Sequence, residues 1–496
     1  MKFSQEHQVV PAMNVDRDIS FDLPCCVEGP SDFIPKAQYA LQMLLWPLGI
    51  NPVWSTKSQL INGSIYYGIE SEKLSSDVIT FRLAPDTLRF FTERFFNDSN
   101  RYDESSVVWR EKEGDRYPVL FGGPAQEDDD LIASAFFWLS GWQEYTIPNR
   151  DQHGRFPYHA SLQAVLDTAH EPAVDIYREV LKKQLLEKSV PVKQRTWGGK
   201  AWAFCPTHDI DYIWKWRPGM VYREIVERFL SNSAGESIGA RFARLGTFAS
   251  DAVKPRDIFR YAFTRMIDEV KQRKGKATYF IKTGAHGPHD VFYSSKHGFL
   301  KRTFEQLKTL GFEVGLHPSY YAHTHAGYLK EEKERLELAW GQGISSVRQH
   351  YLRYEHPQTL RMHEAAGFAI DSTLAFADHE GFRYATCHPF LRYDLVANAP
   401  ASSWEMPLCF MDGTLFNYRM LSLDESSVVC QKLISTCKKY NGVCVGLWHN
   451  MLWDEMDFPG WGAHFTEILD YVVKEEGAID SLRGAMDSYF IKRERP

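Results

Sequence analysis

Beyond residue 200 the chain alternates between short apolar runs and longer stretches with helical spacing. The runs are Trp202 to Cys205, Thr278 to Ile281, Phe312 to Leu316, Val347 to Leu352, Phe368 to Ile370, Trp404 to Leu408 and Val443 to Leu447. Short apolar segments separated by helical patterns read as βα units and a parallel sheet. About seven strands, with a polar residue at nearly every carboxyl end, predict an α/β fold built as a deformed (β/α) barrel whose site lies on that rim. Upstream the pattern is mixed. Ile65 to Ile69 and Ile79 to Leu83 read as strands, and Asp130 to Ser140 as an apolar helix. Asp128, Asp129 and Asp130 suit its amino terminus through capping and dipole. Asp151 to Phe156 reads as a turn, with Gly154 supplying the permissive backbone and His153 a structural role. The polar, Pro- and Gly-containing stretch Lys188 to Lys200 marks a boundary. It divides an N-terminal α+β domain over 1–195, with no assigned chemistry, from the barrel over 196–496.

Composition narrows the picture. A chain of 496 residues with 44% hydrophobic content has room for two cores. A net charge of -7 argues against nucleic acid as the main partner, because phosphate neutralisation needs a basic face. Eight cysteines without a CxxC pair read as buried free thiols rather than disulfides or a zinc knuckle. Residues 1–7 are polar where a signal peptide would turn apolar, and no transmembrane segment is evident, so a cytoplasmic protein is expected. The insertion after Asp211 carries Arg223, Arg228, Arg241, Arg244 and Arg260 among aromatic residues. It reads as a helical hairpin over the barrel mouth, with peripheral contact to a membrane surface or an acidic glycan as the alternative.

The chemistry gathers at the strand ends. In Thr207-His208-Asp209-Ile210-Asp211, two carboxylates one residue apart point to the same side of an extended strand. Such a pair stays ionised only beside a cation, an Arg or a His. His317 ends the next-but-one run, Arg348 and His350 alternate onto one face of another, Asp371 ends a fourth and His449 the last. Together they suit a metal-assisted hydrolase: carboxylate and imidazole ligands, a second carboxylate as base, an arginine to hold it and a histidine to protonate the leaving group.

These residues resemble the NodB-homology polysaccharide deacetylases, carbohydrate esterase family four, over about the last three-fifths of the chain. Thr207 to Asp211 resembles the first motif in a D-x-D form, which implies that Asp209 is the catalytic base and Asp211 a metal ligand. Gly311 to His317 resembles the second motif, making His317 a ligand. Arg348 resembles the arginine that orients the base, and Leu447-Trp448-His449 the closing L-x-H motif, whose histidine is the general acid. A divalent metal, zinc foremost, and a carbohydrate substrate are implied, with removal of N-acetyl or O-acetyl groups from a sugar or polysaccharide precursor. A C-N hydrolase on a cyclic amide, or a weakly active glycan-binding protein retaining the fold, are the alternatives.

The chain departs from H-[ST]-x-x-H in the second motif, where Tyr321 stands four residues after His317. A phenol with a pKa of about 10 is a poor ligand at neutral pH. The missing imidazole falls to His350, with His323, His325 or water as other candidates and substrate binding as another role for His350. Tyr321, Asp371 and Trp448 are assigned to substrate binding. Leu131 to Tyr145 with Asp151 to Phe156 resembles an uncharacterised domain that precedes such deacetylases in bacterial polysaccharide gene clusters.

Overall fold

The computed structural model describes residues 21–69, 74–83, 85–92, 107–112, 114–231, 235–253 and 257–490. The polar residues 1–7 lie outside them. The first unit holds a four-stranded parallel sheet, in which β1 (Phe21–Val27), β2 (Ile50–Trp54), β3 (Ile65–Gly68) and β4 (Ile79–Arg82) are ordered β2-β1-β3-β4. A hairpin of β5 (Val108–Lys112) and β6 (Asp115–Val119) follows. Helices Ile34–Leu45, Leu131–Leu139 and Ala173–Glu187 pack together beside the sheet. Asp130 caps the second of these, accepting from the Ala133 amide at 2.8 Å and from Tyr67 Oη at 2.7 Å, while Asp129 pairs with Arg110 at 2.8 Å. The acidic triplet is thus consumed by helix capping and an ion pair.

The second unit is one curled sheet of ten strands. They are β7 (Ala203–Ile210), β8 (Thr278–Ile281), β9 (Glu313–Leu316), β10 (Ser346–Val347), β11 (Ile370–Asp371), β12 (Phe390–Asp394), β13 (Ala399–Glu405), β14 (Leu408–Met411), β15 (Val443–Leu447) and β16 (Ala478–Ile479). Their order is β12-β13-β11-β10-β9-β8-β7-β15-β14, with β16 beside β7. All neighbours are parallel except β12 and β13. Among the described residues the path does not close into a ring. Its ends are β12 and β14, and only Met406 and Pro407 separate β14 from β13 along the chain. The expected deformed barrel of about seven strands takes the form of a curled, mostly parallel sheet of ten strands. The predicted strand Val347 to Leu352 shrinks to Ser346–Val347 and gives way to a tight turn at His350–Leu352.

Packing sets the sheet's curvature at particular residues. A Cβ at Gly315 would lie 2.5 Å from the Phe280 ring, so glycine lets β8 and β9 approach there. Phe280 in turn carries the Arg348 guanidinium over its face, 4.6 Å from the ring centroid. The core runs without a break from one unit into the other, as Trp46 against Trp404 at 5.1 Å between ring centroids illustrates. The outer edge strand β12 is covered by the first unit: Tyr39 Oη donates to the Leu391 carbonyl at 2.6 Å, and the Leu391 amide faces the Met43 sulfur at 3.4 Å.

All eight cysteines are buried and free. The Cys409 and Cys437 thiols donate to the Val443 carbonyl, as packed thiols do. The insertion forms helices Pro218–Tyr222, Arg223–Leu230 and Ile238–Ala252, followed by Ile258–Gln272. Its arginines are largely spent internally: Arg223 and Arg244 pair with Glu224 and Asp457, and Arg228 approaches Asp457 at 3.5 Å. No helix among the described residues is long and apolar enough to cross a membrane.

Candidate active site

Parallel strands deliver their last side chains to one rim. In β7, alternation puts Thr207, Asp209 and the following Asp211 on the inner side, while His208 turns outward against Tyr279 and Phe465. Arg348 follows β10 and is fully buried. Its Nη1 reaches Thr207 Oγ1 at 2.6 Å and Asp209 Oδ1 at 3.3 Å, while Nε and Nη2 donate to the Ser372 carbonyl and hydroxyl, both at 2.8 Å. A guanidinium with so many fixed partners holds Asp209 in one orientation.

His317 follows β9. Its Nδ1 donates to the Arg348 carbonyl at 2.7 Å, which leaves the Nε2 lone pair facing Asp209 at 3.7 Å and Asp211 at 3.6 Å. Burial keeps the imidazole neutral, with its pKa lowered to about 4. His350 Nε2 lies 3.3 Å from Asp211 Oδ1, and its Nδ1 meets Asp290 Oδ1 at 2.9 Å. Burial opposes charge on Asp211, but His350, Lys282 and His317 outweigh it and hold the carboxyl well below its usual range. The pKa of His350 is raised, because the carboxylates on both sides outweigh its burial.

Ligand atoms of Asp211, His317 and His350 all lie within 4.8 Å of one another. Asp211 Oδ1 is buried with no hydrogen-bond partner, an acceptor aimed at the space between the imidazoles. Two imidazole nitrogens and a carboxylate oxygen form the donor set that zinc and similar ions take, with positions left over for water or substrate. The residues therefore fit a divalent ion. Two of the other converging groups do not, since their carboxylates are already paired, Asp175 with Arg178 and Glu380 with Arg419.

His449 follows β15 on the opposite side of Asp211, with Nε2 at 3.9 Å from Asp211 Oδ2. Its Nδ1 bonds Asp412 Oδ1 at 2.7 Å, and the second Asp412 oxygen accepts from its own amide. Burial disfavours the imidazolium, but Asp412 and the two site aspartates prevail and raise the pKa to about 10. The group is a proton donor at neutral pH, charged below that pKa and lost as a donor above it. Asp412→Asn removes the main stabilising charge, so the alkaline limb of a pH–rate profile is expected to move to lower pH; an unmoved limb would disconnect Asp412 from the acid.

Several expected site residues are elsewhere. Asp371 is fully buried and turned away from Asp211, bonding His363 Nδ1 at 2.8 Å, Thr373 and Arg392. Alternation gives the inner position to its neighbour Ser372, which accepts from Arg348. Trp448 also points outward, packing on Trp461, His464 and Phe465, for the same period-two reason that turns His449 inward. Neither side chain is placed to bind substrate. Tyr321 is 40% exposed beside Tyr320 and Arg353. His323 bonds the Tyr320 carbonyl and His325 packs at a tilt against Tyr328, so neither joins the cluster. The segment Asp378 to Phe390 packs on the first unit. His379 stacks on Tyr158 at 3.8 Å, and Arg383 Nε bonds Glu144 at 2.8 Å. Glu405 is buried, its pKa is raised well above the usual range by burial and by Asp371, and it accepts from the Leu374 amide.

Lys282, Asp290 and Asp412 were not anticipated as site residues. Lys282 ends β8 as the other polar residues end their strands, and its ammonium binds Asp290 Oδ1 at 2.8 Å and lies 3.9 Å from Asp211. Asp412 follows β14 in the same way. For Asp290, in an irregular loop, no sequence signal was available.

Residues 28–190 match a family of unknown function, DUF7033. No curated relative matches the chain. Among solved structures, a presumed polysaccharide deacetylase from Mycobacterium smegmatis is 13% identical, with 60% of this chain and 95% of that one covered and a TM-score of 0.38. The Bc1960 peptidoglycan N-acetylglucosamine deacetylase is 12% identical over 61% and 93%, with a TM-score of 0.31. The CE4 family pseudoenzyme BA3943 from Bacillus anthracis is 9% identical over 58% and 66%, with a TM-score of 0.29. At such identities, what bears on chemistry is the side-chain arrangement of this chain.

Proposed function

We propose that this protein is a metal-dependent hydrolase that removes acetyl groups, N-linked first and O-linked second, from a sugar or polysaccharide precursor. The observation that carries the reading is the pairing of an open two-imidazole, one-carboxylate cluster with two further groups of opposite duty, Asp209 and His449. A divalent ion in the cluster supplies Lewis-acid polarisation of a carbonyl and acidifies water.

The chain's own residues do the rest. Asp211, His317 and His350 hold the ion. Asp209, fixed by Arg348 and unable to rotate away, accepts a proton from the attacking water. His449, kept cationic by Asp412 and facing Asp211 from the other side, gives a proton to the departing amine or alcohol. The two groups have different partners, an arginine beside the base and an aspartate beside the acid, a division that suits general acid–base catalysis.

The test is metal stoichiometry together with acetate release. Purified protein is expected to carry one divalent ion and to release acetate from some member of a panel of N- and O-acetylated sugars, with activity lost to a chelator and regained with zinc. Stoichiometric metal without acetate release anywhere on the panel, or acetate release untouched by chelation, would sink the proposal.

A further inference from the structure

His350 reaches the cluster through an unusual backbone. The turn that starts at His350 places two consecutive non-glycine residues in the left-handed region, Tyr351 at φ 62° and Leu352 at φ 55°. Each such residue is strained and persists only where its surroundings fix it. The surroundings come from the first unit, from the turn Asp151 to Phe156. Arg155 Nη1 donates to the Tyr351 carbonyl at 3.1 Å, and Arg353 Nε donates back to the His153 carbonyl at 2.7 Å, so the two turns are cross-linked in both directions. The His153 ring lies 4.6 Å from the Tyr351 ring, which lies 4.8 Å from that of His350, and His153 Nδ1 bonds Tyr320 Oη at 3.1 Å.

Arg155 is itself immobilised. Asp151 Oδ2 accepts from Arg155 Nε at 2.7 Å, Asp151 Oδ1 accepts from the His153 and Arg155 amides at 2.8 and 2.9 Å, and Arg155 Nη2 donates to Tyr418 Oη at 2.9 Å. Gly154, at φ 76°, supplies the one left-handed position this turn needs. Arg155 is 5% exposed, so its fork is spent on the protein and not on solvent.

We infer that the Asp151–Phe156 turn is a positioning element for the metal centre: Arg155 holds the left-handed Tyr351, and through it holds His350 Nε2 on the cluster. The inference rests on the reading of His350 as a ligand. It gives the region matching a family of unknown function a task in a site to which it contributes no ligand. Asp290 fixes the far nitrogen of His350, and Arg155 fixes the backbone that carries the ring.

The experiment is a cobalt and zinc titration of the full-length protein carrying Arg155→Ala, Arg155→Lys or His350→Ala, with thermal melts run alongside. Removing support of this kind is expected to weaken metal binding about 10- to 100-fold. The cobalt visible spectrum of Arg155→Ala should move toward that of His350→Ala. Adding Tyr351→Gly, which adopts the left-handed conformation without strain, should return most of the lost affinity. Loss of affinity that Tyr351→Gly does not rescue would mark Arg155 as a general stabiliser and overturn the inference, as would wild-type affinity and spectrum in both Arg155 variants. If Arg155→Ala does not fold, Arg155→Lys decides, because it keeps the charge beside Asp151 and loses the fork. Wild-type protein that binds no metal would overturn the proposed function and this inference together, whereas metal-competent wild type with unaffected Arg155 variants would overturn this inference alone.

Discussion

His317→Ala is expected to abolish both metal retention and acetate release. His317 is the ligand with the fewest alternatives: its Nδ1 is committed to the Arg348 carbonyl, and burial keeps it neutral without any help from a bound cation. Alanine leaves Asp211 and His350 as the remaining ligands, too few for a stable zinc site. The measurement is metal content after gel filtration, together with acetate release at saturating substrate. Metal content and activity equal to wild type would remove His317 from the centre.

Asp209→Asn is expected to separate chemistry from binding. The amide keeps the shape and one acceptor for Arg348 but cannot take a proton, so kcat should fall by about 10²–10⁴, the usual worth of a general base. Metal content should stay at wild-type level, because Asp211, His317 and His350 remain. Arg348 then lacks its closest carboxylate, and breaking a buried pair from one side costs about 3–5 kcal/mol. A lowered Tm with full metal occupancy is therefore part of the expected result. A variant that loses its metal as well would show that Asp209 belongs to the ligand set and not to the proton path.

How far the site could be read from sequence follows from what strand periodicity can and cannot say. Asp209, Asp211, His317, Arg348 and His449 all lie on the last turns of parallel strands, where position along the strand and position on the rim coincide. Asp371 and Trp448 occupy the same kind of position and face the other way, because a strand end fixes height on the rim but not side. A one-residue error in phase is enough to exchange Asp371 for Ser372. His350 illustrates the reverse case. Alternation along a strand pointed to it, but β10 ends at Val347, and a left-handed turn stabilised from another part of the chain is what brings the imidazole in. Asp290 lay outside this logic altogether, since its place depends on the path of an irregular loop and on amides at His286 and Tyr320 that it accepts from. Apolar runs along the chain pointed to the parallel sheet, whereas the antiparallel β12 depends on pairing that no single run encodes.

The covering of β12 by Tyr39 and Met43 has a practical side. Residues 196–496, produced alone by cutting at the polar stretch near Lys193, would bare the backbone of an edge strand and the apolar faces around Trp404 and Tyr393 that the first unit now shields. Exposed edges recruit other strands, so such a fragment is a template for aggregation. The polar stretch that looks like a linker in the sequence is therefore a poor place to truncate, and recombinant expression should keep both halves on one chain.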